Sequence, residues 1–597
     1  MLRRWSCHRS VPLQSPLRIV MQRVSGVCAL LPLTGVASGS GRGMHRETVG
    51  ARPTSVSRRQ VLAAAGALAA TNVVSEFAPA APRAISIDGG RQLFVDDHLI
   101  ADSSLERKWH LPEIQRGPIL VAETALELNG GNRPVAAPFS DSLFYDPADG
   151  LFKLWYHAGW FDGIAYATST DGIHWTRPRI DIELGTNRVL AKRDGYSRDG
   201  STTWLDLNSS DPEERYKHFV YFRRHGSPSV GEVYTSADGR HWRLRRLTGS
   251  LGDNSCFYYD SFRKVWVWSI RRTATSPRDH TGMVRVRVRR EHSDFLGSAS
   301  WTDGDILGPA MEADSLDLPD PQLGYPTQLY HMTAVSYESI MLGSFLIHRG
   351  PPNEICERDR RPKITDITLG YSRDGMNWLR PDRRPFIASS RERGTWNFGY
   401  IHPAGGVCLI VADKLHFYFG AWSGVSPALG ADMYAGGSTG LATLRRDGFA
   451  SLEAGAGGAS MTTTQILFSG KHLFVNANAE GGQLTVEVLD GSGVTLRGFA
   501  ADRCIPIRAD GTRQMVRWQS SSDLSRLIGK PVRIRFYLVR AQLYAFWVSP
   551  NVSGESLGYV AAGGPGLNGS QDSTTNAGSS ASETSPYPGQ LHSGLLC

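Results

Sequence analysis

The sequence has few features that would hold a metal ion or a disulfide bond. Its seven cysteines are scattered over 597 residues and include no C-x-x-C pair. They therefore predict neither a disulfide framework nor a cysteine-bound zinc ion. The histidines show no H-x-x-x-H spacing, so nothing supports a histidine-bound metal either. We expect a protein that requires no cofactor.

The chain also lacks excess charge over most of its length. Its net charge of +8 arises at the start, because the first 60 residues hold ten Arg and a single acid, Glu47. The rest of the chain is close to neutral. A neutral body has no basic surplus to bind phosphate groups, so the composition excludes nucleic acid as the expected partner.

The basic start is typical of an export signal. Arg58-Arg59 precedes an apolar, Ala-rich run to Ala70, and Ala78-Pro79-Ala80 offers small residues for cleavage, which resembles a twin-arginine signal. The apolar run is too short to span a bilayer, which takes about 20 residues. We assign residues 1–80 to an over-extended start plus this signal, and expect a periplasmic or extracellular protein without a membrane span.

Long helical patterns are scarce, whereas turn residues are abundant, with 64 Gly and 32 Pro. A strand followed by an S-x-D-G-x-x-W turn recurs along the chain. Its clear copies lie at 166–175, 233–242 and 370–378, and weaker ones lie near Asp294 and at 444–449. The repeated acids Asp171, Asp238 and Asp374 stand before Gly, where Asp caps its own turn. We interpret them as structural.

A second pattern gives the same count of five. Each repeat contains a strand–turn–strand unit of aromatic and β-branched residues, which is a hairpin signal. The units lie at 143–156, 204–222, 256–268, 333–345 and 407–419. Units too small to bury their own faces must stack on one another. The sequence therefore predicts an all-β protein with a five-bladed β-propeller at 85–460.

The remaining segments differ in texture. The strand at 92–100 precedes the first unit, and we expect it to help close the ring. Short alternating strands without the repeat at 461–550 predict a C-terminal β-sandwich. Residues 551–597 are rich in Gly, Ser, Thr and Asn and are predicted to be a disordered tail.

These features resemble the five-bladed propeller glycosidases of the invertase, levansucrase and arabinanase type. The resemblance rests on the five-fold count, on hairpins such as Phe144-Tyr145-Asp146-Pro147, and on the strands after the fifth repeat. It covers about residues 85–550. It implies a glycoside hydrolase whose carboxylates lie in the central channel. The S-x-D-G-x-x-W turn also resembles the turn of sialidase propellers.

The first strand of each propeller blade lines the channel, so polar residues near its start should converge. The acids in these positions are Asp141, Asp199, Asp253 and Glu338, and the fifth unit offers His402 instead. Glycoside hydrolysis uses one protonated carboxyl group and one ionised carboxylate. We therefore take the four acids as candidate catalytic residues.

The resemblance implies tentative roles for these acids. Asp141 would be base or nucleophile, Asp199 the transition-state stabiliser and Glu338 the general acid, with Asp253 a rival for any of the three. The candidate substrate-binding residues are Asp97, Arg198, Trp204, Tyr337, Trp396 and His402.

Three functions stay open at this stage. A glycoside hydrolase acting on an oligo- or polysaccharide is favoured, and we expect a monomer with a carbohydrate substrate. A carbohydrate-binding propeller without catalysis is the second, because fold does not fix function. A sialidase-like hydrolase is the third, and would use Arg198, Arg349 and Tyr337. A structural calcium ion in the channel also stays open.

Overall fold

The computed structural model describes residues 84–573, except 224–228, 279, 281 and 522. The side chains of 307–309 are also outside this description. The predicted export signal and residues 574–597 lie outside the described residues. The described chain is built of β-strands with a few helical turns, which confirms the all-β prediction. No helix among the described residues is long and apolar enough to cross a membrane.

Five short strands precede the repeats. They are β1 (Ile85–Ser86), β2 (Gln92–Leu93), β3 (Ile100–Ser103), β4 (Glu106–Trp109) and β5 (Glu113–Ile114).

Four antiparallel sheets then follow one another along the chain. Sheet 1 contains β6 (Ala136–Ala137), β7 (Leu143–Asp146), β8 (Leu151–Ala158), β9 (Gly163–Ser169) and β10 (Arg188–Leu190). Sheet 2 contains β11 (Ser197–Leu205), β12 (Tyr216–Arg223), β13 (Gly231–Ser236) and β14 (Arg243–Leu247). Sheet 3 contains β15 (Cys256–Asp260), β16 (Val265–Thr275), β17 (Met283–His292) and β18 (Leu307–Met311). Sheet 4 contains β19 (Gln328–Glu338), β20 (Ile340–Gly350) and β21 (Ile364–Ser372).

Sheet 5 combines strands from both ends of this region. Its own strands are β22 (Tyr400–Pro403), β23 (Leu409–Val411), β24 (Lys414–Trp422) and β27 (Gly437–Arg445), with a ribbon of β25 (Val425–Ser426) and β26 (Gly430–Ala431) before the last. Its edge strand is β5, which pairs Ile114 with Ala442 of β27. The helices between sheet strands are α1 (Ala125–Leu128), α2 (Phe295–Ser298) and α3 (Asn353–Arg358).

The repeated Asp-Gly turns form hydrogen bonds with neighbouring sheets. In the first repeat, the Asp171 carboxylate accepts hydrogen bonds from the backbone of Ile173 and His174. Gly172 has φ +75°, and its carbonyl accepts a 3.0 Å hydrogen bond from Tyr418 of sheet 5. In the second repeat, the carbonyl of Gly239 accepts a 2.7 Å hydrogen bond from Trp155 of sheet 1. A turn that must both bend left-handed and approach a neighbour closely requires glycine.

The first and last sheets also hydrogen-bond directly. The amide of Gly405, after β22, donates to the carbonyl of Asp141 at 2.8 Å, and Leu143 donates to the Gly405 carbonyl. Pro134 accepts from the amides of Gly436 and Gly437. Sheet 5 therefore contacts sheet 1 through backbone hydrogen bonds, which leaves neither first strand as a free edge.

Two further sheets follow sheet 5. Their new strands are β28 (Ala450–Ala454), β29 (Ala459–Thr463), β30 (Ile466–Leu467), β31 (His472–Asn478), β32 (Gln483–Asp490), β33 (Asp510–Met515), β34 (Val532–Val539) and β35 (Ala541–Ser549). Sheet 6 joins β1, β3, β29, β30, β32 and β34, and sheet 7 joins β2, β4, β28, β31, β33 and β35. Phe536 of sheet 6 packs against Phe546 of sheet 7 with ring centres 5.2 Å apart.

The expectation that strand 92–100 closes the ring is wrong. β2 pairs with β35, and Phe94 packs on Phe546 at 6.0 Å, so this segment belongs to sheets 6 and 7. The apolar residues correctly indicated a buried strand. They did not indicate which core buries it, because burial alone does not identify a pairing partner. The N-terminal strand that pairs with sheet 5 is β5, whose two residues gave no signal.

The prediction of disorder for the whole of 551–597 is wrong for 551–573. Strand β36 (Tyr559–Val560) pairs with the end of β19 in sheet 4. Beyond it, Tyr145 of sheet 1 donates to the Ala562 carbonyl at 3.0 Å, and Ile410 of sheet 5 donates to the Gly563 carbonyl at 2.9 Å. Backbone hydrogen bonds to three sheets hold this segment in place, although its composition predicts disorder.

A buried ion cluster, consisting of Arg91, Tyr337, Glu338, Arg446 and Asp447, joins the N-terminal strands to sheets 4 and 5. The Glu338 carboxylate accepts from Arg446 at 3.0 Å, from the Arg91 amide at 3.1 Å and from Ser556 at 2.7 Å. Arg91 also bonds Asp447 at 2.9 Å, and the Tyr337 hydroxyl donates to Asp447 at 2.6 Å. Each buried charge therefore has an opposite charge and hydrogen bonds beside it, as burial requires.

We predict that ending the chain at Ser549 lowers the melting temperature by more than about 5 °C, because the backbone hydrogen bonds to sheets 1, 4 and 5 are lost. Thermal unfolding followed by circular dichroism measures the change. Ending the chain at Ser573 is the control and retains every described contact. Equal melting temperatures for the two truncated chains would contradict the stabilising role of 551–573.

We predict that Glu338→Gln lowers the free energy of unfolding by about 3 kcal/mol, because the two buried arginines, Arg91 and Arg446, then have one buried carboxylate fewer to balance their charge. Chemical denaturation measures it. Glu357→Gln, at an exposed position in α3, is the matched control and should change stability by less than about 0.5 kcal/mol. A stable Glu338→Gln protein that has lost activity would instead support the catalytic role predicted from the sequence.

Candidate active site

The structure brings three of the four predicted acids to one end of the first strands of sheets 1, 2 and 3. Asp141 precedes β7, Asp199 lies at the start of β11, and Asp253 precedes β15. Asp141 and Asp199 are buried, whereas the Asp253 side chain is 23% exposed. The expected convergence of acids from successive sheets therefore applies to these three.

Asp141 is occupied by contacts within the protein. One carboxylate oxygen accepts from the Phe139 amide at 2.8 Å, and the other accepts from Arg198 and from the Ser201 hydroxyl. A buried carboxylate with this many donors is stabilised in place and has no free face. Asp141 therefore orients its neighbours, and the role of base or nucleophile does not fit this environment.

A bulge in β11 allows the side chains of Arg198 and Ser201 to contact the same carboxylate, that of Asp141. The pairing of β11 with β12 shifts register between these two residues. Residues three apart in a regular strand point to opposite faces, and one extra residue in a bulge brings them to the same face. Asp199 lies within this bulge, and its carboxylate accepts from the Gly200 amide at 2.8 Å.

Arg223 bridges the other two acids. Its Nε donates to Asp199, and its Nη2 donates to Asp253 at 3.1 Å. Two carboxylate oxygens bound to one guanidinium group are no more than about 8 Å apart. This upper limit is compatible with the roughly 5 to 9.5 Å that separates the carboxyl groups of glycoside hydrolases. The Arg223 side chain is half exposed, so the bridge lies at the surface of the site.

The two bridged acids differ in environment. Burial raises the pKa of Asp199 above its usual value, although the Arg223 charge opposes this, and the nearby Asp253 raises it further. Asp253 retains contact with solvent and lies 3.5 Å from Arg271. A pair of carboxyl groups in different environments is the arrangement that separates an acid from a base.

His402 lies beneath this pair. Its Nδ1 accepts from the Ser140 amide at 3.1 Å, so its Nε2 carries the proton and donates to the Asn254 side chain at 3.0 Å. Burial lowers the pKa of His402 to about 3, which keeps the ring neutral. Asn254 follows Asp253 directly, so His402 of sheet 5 helps to fix the end of sheet 3 that carries Asp253.

Residues from sheets 4 and 5 complete the wall beside Asp253, and the sequence did not indicate them. Lys363 donates to the Tyr330 hydroxyl at 2.9 Å and lies 4.7 Å above the Tyr400 ring. Burial raises the pKa of Tyr330, but the charges of Lys363 and Arg285 and the hydrogen bond from Lys363 together lower it more, so the net shift is downward. These side chains stand at strand starts, without a motif that distinguishes them from ordinary core residues.

Three aromatic rings lie next to Arg223. Its guanidinium carbon lies 5.3 Å from the Phe161 ring centre. Tyr434 stacks on Trp160 at 4.4 Å, and Trp160 stacks on Phe161 at 4.6 Å. Phe161 and Tyr434 are partly exposed, so they offer apolar surface for a sugar ring. Sequence reasoning had selected other tryptophans for this purpose.

The structure places Glu338 and Tyr337 elsewhere, so their predicted roles in this site are wrong. Tyr337 and Glu338 end β19, six and seven residues after His331, whose ring lies 4.8 Å from that of His402. Seven strand residues span about 23 Å. The sequence placed an acid beside the right strand but could not tell which end of the strand faces the site.

Trp204 is also at the opposite end of its strand, about 20 Å from Arg198 by strand length. It packs on Phe144 at 5.2 Å and lines a cavity of about 40 Å³ together with Tyr259 and Tyr559. That volume is far below the several hundred cubic ångströms of a ligand pocket. The prediction of Trp204 as a sugar-binding residue is therefore wrong.

Asp97 and Trp396 do not join the site. The Asp97 side chain is 77% exposed and pairs with Arg107 near sheets 6 and 7. Trp396 packs on Phe419 at 5.8 Å and donates to the Arg116 carbonyl. Asp97 was predicted to bind substrate because strand 92–100 was expected to close the ring. The two predictions therefore fail together.

The residues of the sialidase-like alternative are not assembled either. Arg198 binds Asp141, Arg349 binds Asp366 at 3.2 Å, and Tyr337 is in the buried ion cluster. Within the described part of the chain, no group of three or more His, Cys, Asp or Glu side chains has the arrangement of a metal site. The four cysteines among these residues are buried free thiols: Cys256, Cys356, Cys408 and Cys504.

Comparisons with known proteins give distant structural similarity only. No protein-family model and no curated protein matches the chain. An exo-β-1,3-galactanase from Phanerochaete chrysosporium shares 11% identity at a TM-score of 0.32, covering 71% of this chain and 99% of that chain. A putative glycoside hydrolase from Bacteroides ovatus shares 12% identity at a TM-score of 0.35, covering 56% and 96%.

A thermostable family-43 glycoside hydrolase shares 11% identity at a TM-score of 0.35, covering 54% of this chain and 96% of that chain. The descriptions of all three structures name glycosidases. Similarity at this level assigns neither the fold nor the activity of this chain.

Proposed function

We propose that the chain is a glycoside hydrolase whose five serial sheets form the blades of a β-propeller, with sheets 6 and 7 as a β-sandwich. The circular set of hydrogen bonds supports the propeller, because the Asp-Gly turn of sheet 1 contacts sheet 5 and that of sheet 2 contacts sheet 1. The packing of Phe536 on Phe546 supports the sandwich.

The bridge from Asp199 through Arg223 to Asp253 is the observation that carries the function. It holds two carboxyl groups of unlike environment no more than about 8 Å apart at the ends of neighbouring first strands, a limit that is compatible with glycoside hydrolysis. Partly exposed aromatic rings lie beside it. A binding site for neutral sugars needs aromatic surface and hydrogen-bonding groups but no such pair.

We assign Asp199 as the general acid and Asp253 as the nucleophile or base. Asp199 is buried, and burial favours the protonated form that donates to the leaving oxygen. Asp253 is exposed enough to meet a sugar carbon or a water molecule. Arg223 orients both groups, and Asp141 acts through Arg198 and Ser201 as a positioning residue.

The first prediction from this assignment concerns leaving groups. Asp199→Asn should slow hydrolysis of an unactivated oligosaccharide at least about 100-fold, because the leaving oxygen receives no proton. It should retain most activity on a dinitrophenyl glycoside, whose leaving group needs no protonation. Asp253→Asn should lose activity on both substrates. Initial rates by chromatography and absorbance measure these effects.

Asp181→Asn is the control for these variants, since its side chain is 79% exposed and pairs with His241. It should keep full activity on both substrates. Full activity of both Asp199→Asn and Asp253→Asn would refute the site. Binding of polysaccharide by the wild type without hydrolysis of arabinan, fructan, galactan or polygalacturonate would favour a binding propeller instead.

The second prediction concerns pH. Asp199 works in its protonated form, so kcat/KM should fall as pH rises through the raised pKa of this group in the folded enzyme. On the unactivated oligosaccharide, the residual activity of Asp199→Asn should lose that alkaline limb and keep the acidic one. The pH–rate profile of both proteins measures this. An alkaline limb that persists in Asp199→Asn would assign the acid to another group.

A further inference from the structure

Cationic side chains outnumber carboxylates around the Asp199–Asp253 pair. Five cations lie within the network that links this pair to Tyr330: Arg223, Arg271, Arg285, Arg287 and Lys363. A site for a neutral sugar has no need for this excess, which costs free energy through mutual repulsion.

The cations are placed by short contacts on both sides of the pair. Arg223 contacts both acids, and Arg271 lies 3.5 Å from Asp253. Beyond Asp253, the Lys363 ammonium group is 2.9 Å from the Tyr330 hydroxyl, and the Arg285 guanidinium carbon is 5.2 Å from the Tyr330 ring centre. Two carboxylates therefore face five positive charges.

Arg287 adds a further positive charge to this excess. It is buried and donates to the backbone carbonyls of Asn254 and Tyr330, not to a carboxylate. Burial lowers its pKa to about 10, so it remains charged at neutral pH. A buried charge without a counter-ion raises the electrostatic potential of the site above it.

Other acids near this wall have their own cationic partners. Asp366 binds both Arg349 and Arg391, and Asp162 binds Arg188 and Lys192. Asp432 binds Arg133 through two hydrogen bonds. These carboxylates therefore leave the excess of positive charge beside Asp253 in place.

We propose that the site takes an anionic glycan, with a sugar carboxylate or sulfate ester bound by Arg285. This inference rests on the proposed function and names its substrate class. Guanidinium groups bind carboxylate and sulfate oxygens through two parallel hydrogen bonds. An anionic sugar supplies the counter-charge that the protein itself does not provide.

Arg285 is the cation best placed for this task. Its side chain is partly exposed, and it forms no ion pair with any carboxylate among the residues that the structure describes. Contact with Gln328 and with the Tyr330 ring fixes its orientation. Arg223 and Arg271 by contrast already bind Asp253, so their charges are partly compensated.

Isothermal titration calorimetry tests the proposal with three probes: a galacturonate trisaccharide, a sulfated galactan oligosaccharide and the neutral galactose trisaccharide. At 20 mM NaCl the wild type should bind at least one anionic probe about tenfold more tightly than the neutral one. The preference should shrink at 200 mM NaCl, where exposed charges are screened over about 8 Å. The anion that binds more tightly distinguishes carboxylate from sulfate.

Arg285→Gln should weaken binding of the preferred anionic probe about tenfold and leave the neutral probe within about twofold. Arg272→Gln is the matched control, because it removes the same charge from a neighbouring position in β16 that pairs with Asp303. It should leave every affinity within about twofold.

The proposal is overturned if neither anionic probe binds at millimolar concentration, if the neutral probe binds equally well, or if the two Arg variants behave alike. Hydrolysis of neutral glycans without preference for anions would overturn this inference alone. Tight anion binding without any hydrolysis would overturn the proposed function and retain the inference.

Discussion

The buried ion pair between Asp141 and Arg198 determines how the centre of the five sheets is arranged. Asp141 belongs to sheet 1, Arg198 to sheet 2, and the backbone carbonyl of Asp141 accepts from Gly405 of sheet 5. A carboxylate and a guanidinium group that leave water together need hydrogen bonds to offset the loss of solvation. The bulge in β11 supplies one by turning Ser201 to the same carboxylate. The same bulge contains Asp199. The arrangement that stabilises the Asp141–Arg198 pair therefore also determines where Asp199 lies.

The two ends of the first strands have different chemistry because the chain returns to one of them. At the end near Trp204, the segment after sheet 7 forms β36 and bonds to sheets 1, 4 and 5. Glu338 lies at this end as well, where it compensates Arg91 and Arg446 in the buried ion cluster. The described part of the C-terminal segment, 551–573, forms no such hydrogen bonds at the opposite end, where Arg223 and Asp253 retain contact with solvent. Binding and chemistry are therefore expected at the end that carries Asp199 and Asp253.

The sequence predicted features that depend on local spacing, such as turns. It failed for features that depend on which distant strands pair with one another. Asp171 caps its own turn as expected, because an Asp-Gly turn is determined within a few residues. Asp253 and Glu338 both adjoin buried strands and look equivalent in the sequence. They differ in which end of the strand they occupy, and this follows from how β15 and β19 align across sheets. Arg223 ends a strand with no motif around it, so its bridge between two acids could be recognised only in the folded chain.

The same distinction explains why the sequence did not predict the excess of positive charge at the site. Outside its first 60 residues the chain is nearly neutral, and on that ground the sequence predicts no nucleic-acid partner. Net charge averages over the whole surface and hides local imbalance. In the fold, Arg287 of β17 meets backbone carbonyls of two neighbouring sheets, whereas Asp366 meets two arginines. Positive charge therefore accumulates beside Asp253 even though the body as a whole is balanced, and this local excess is what the proposed anionic ligand would compensate.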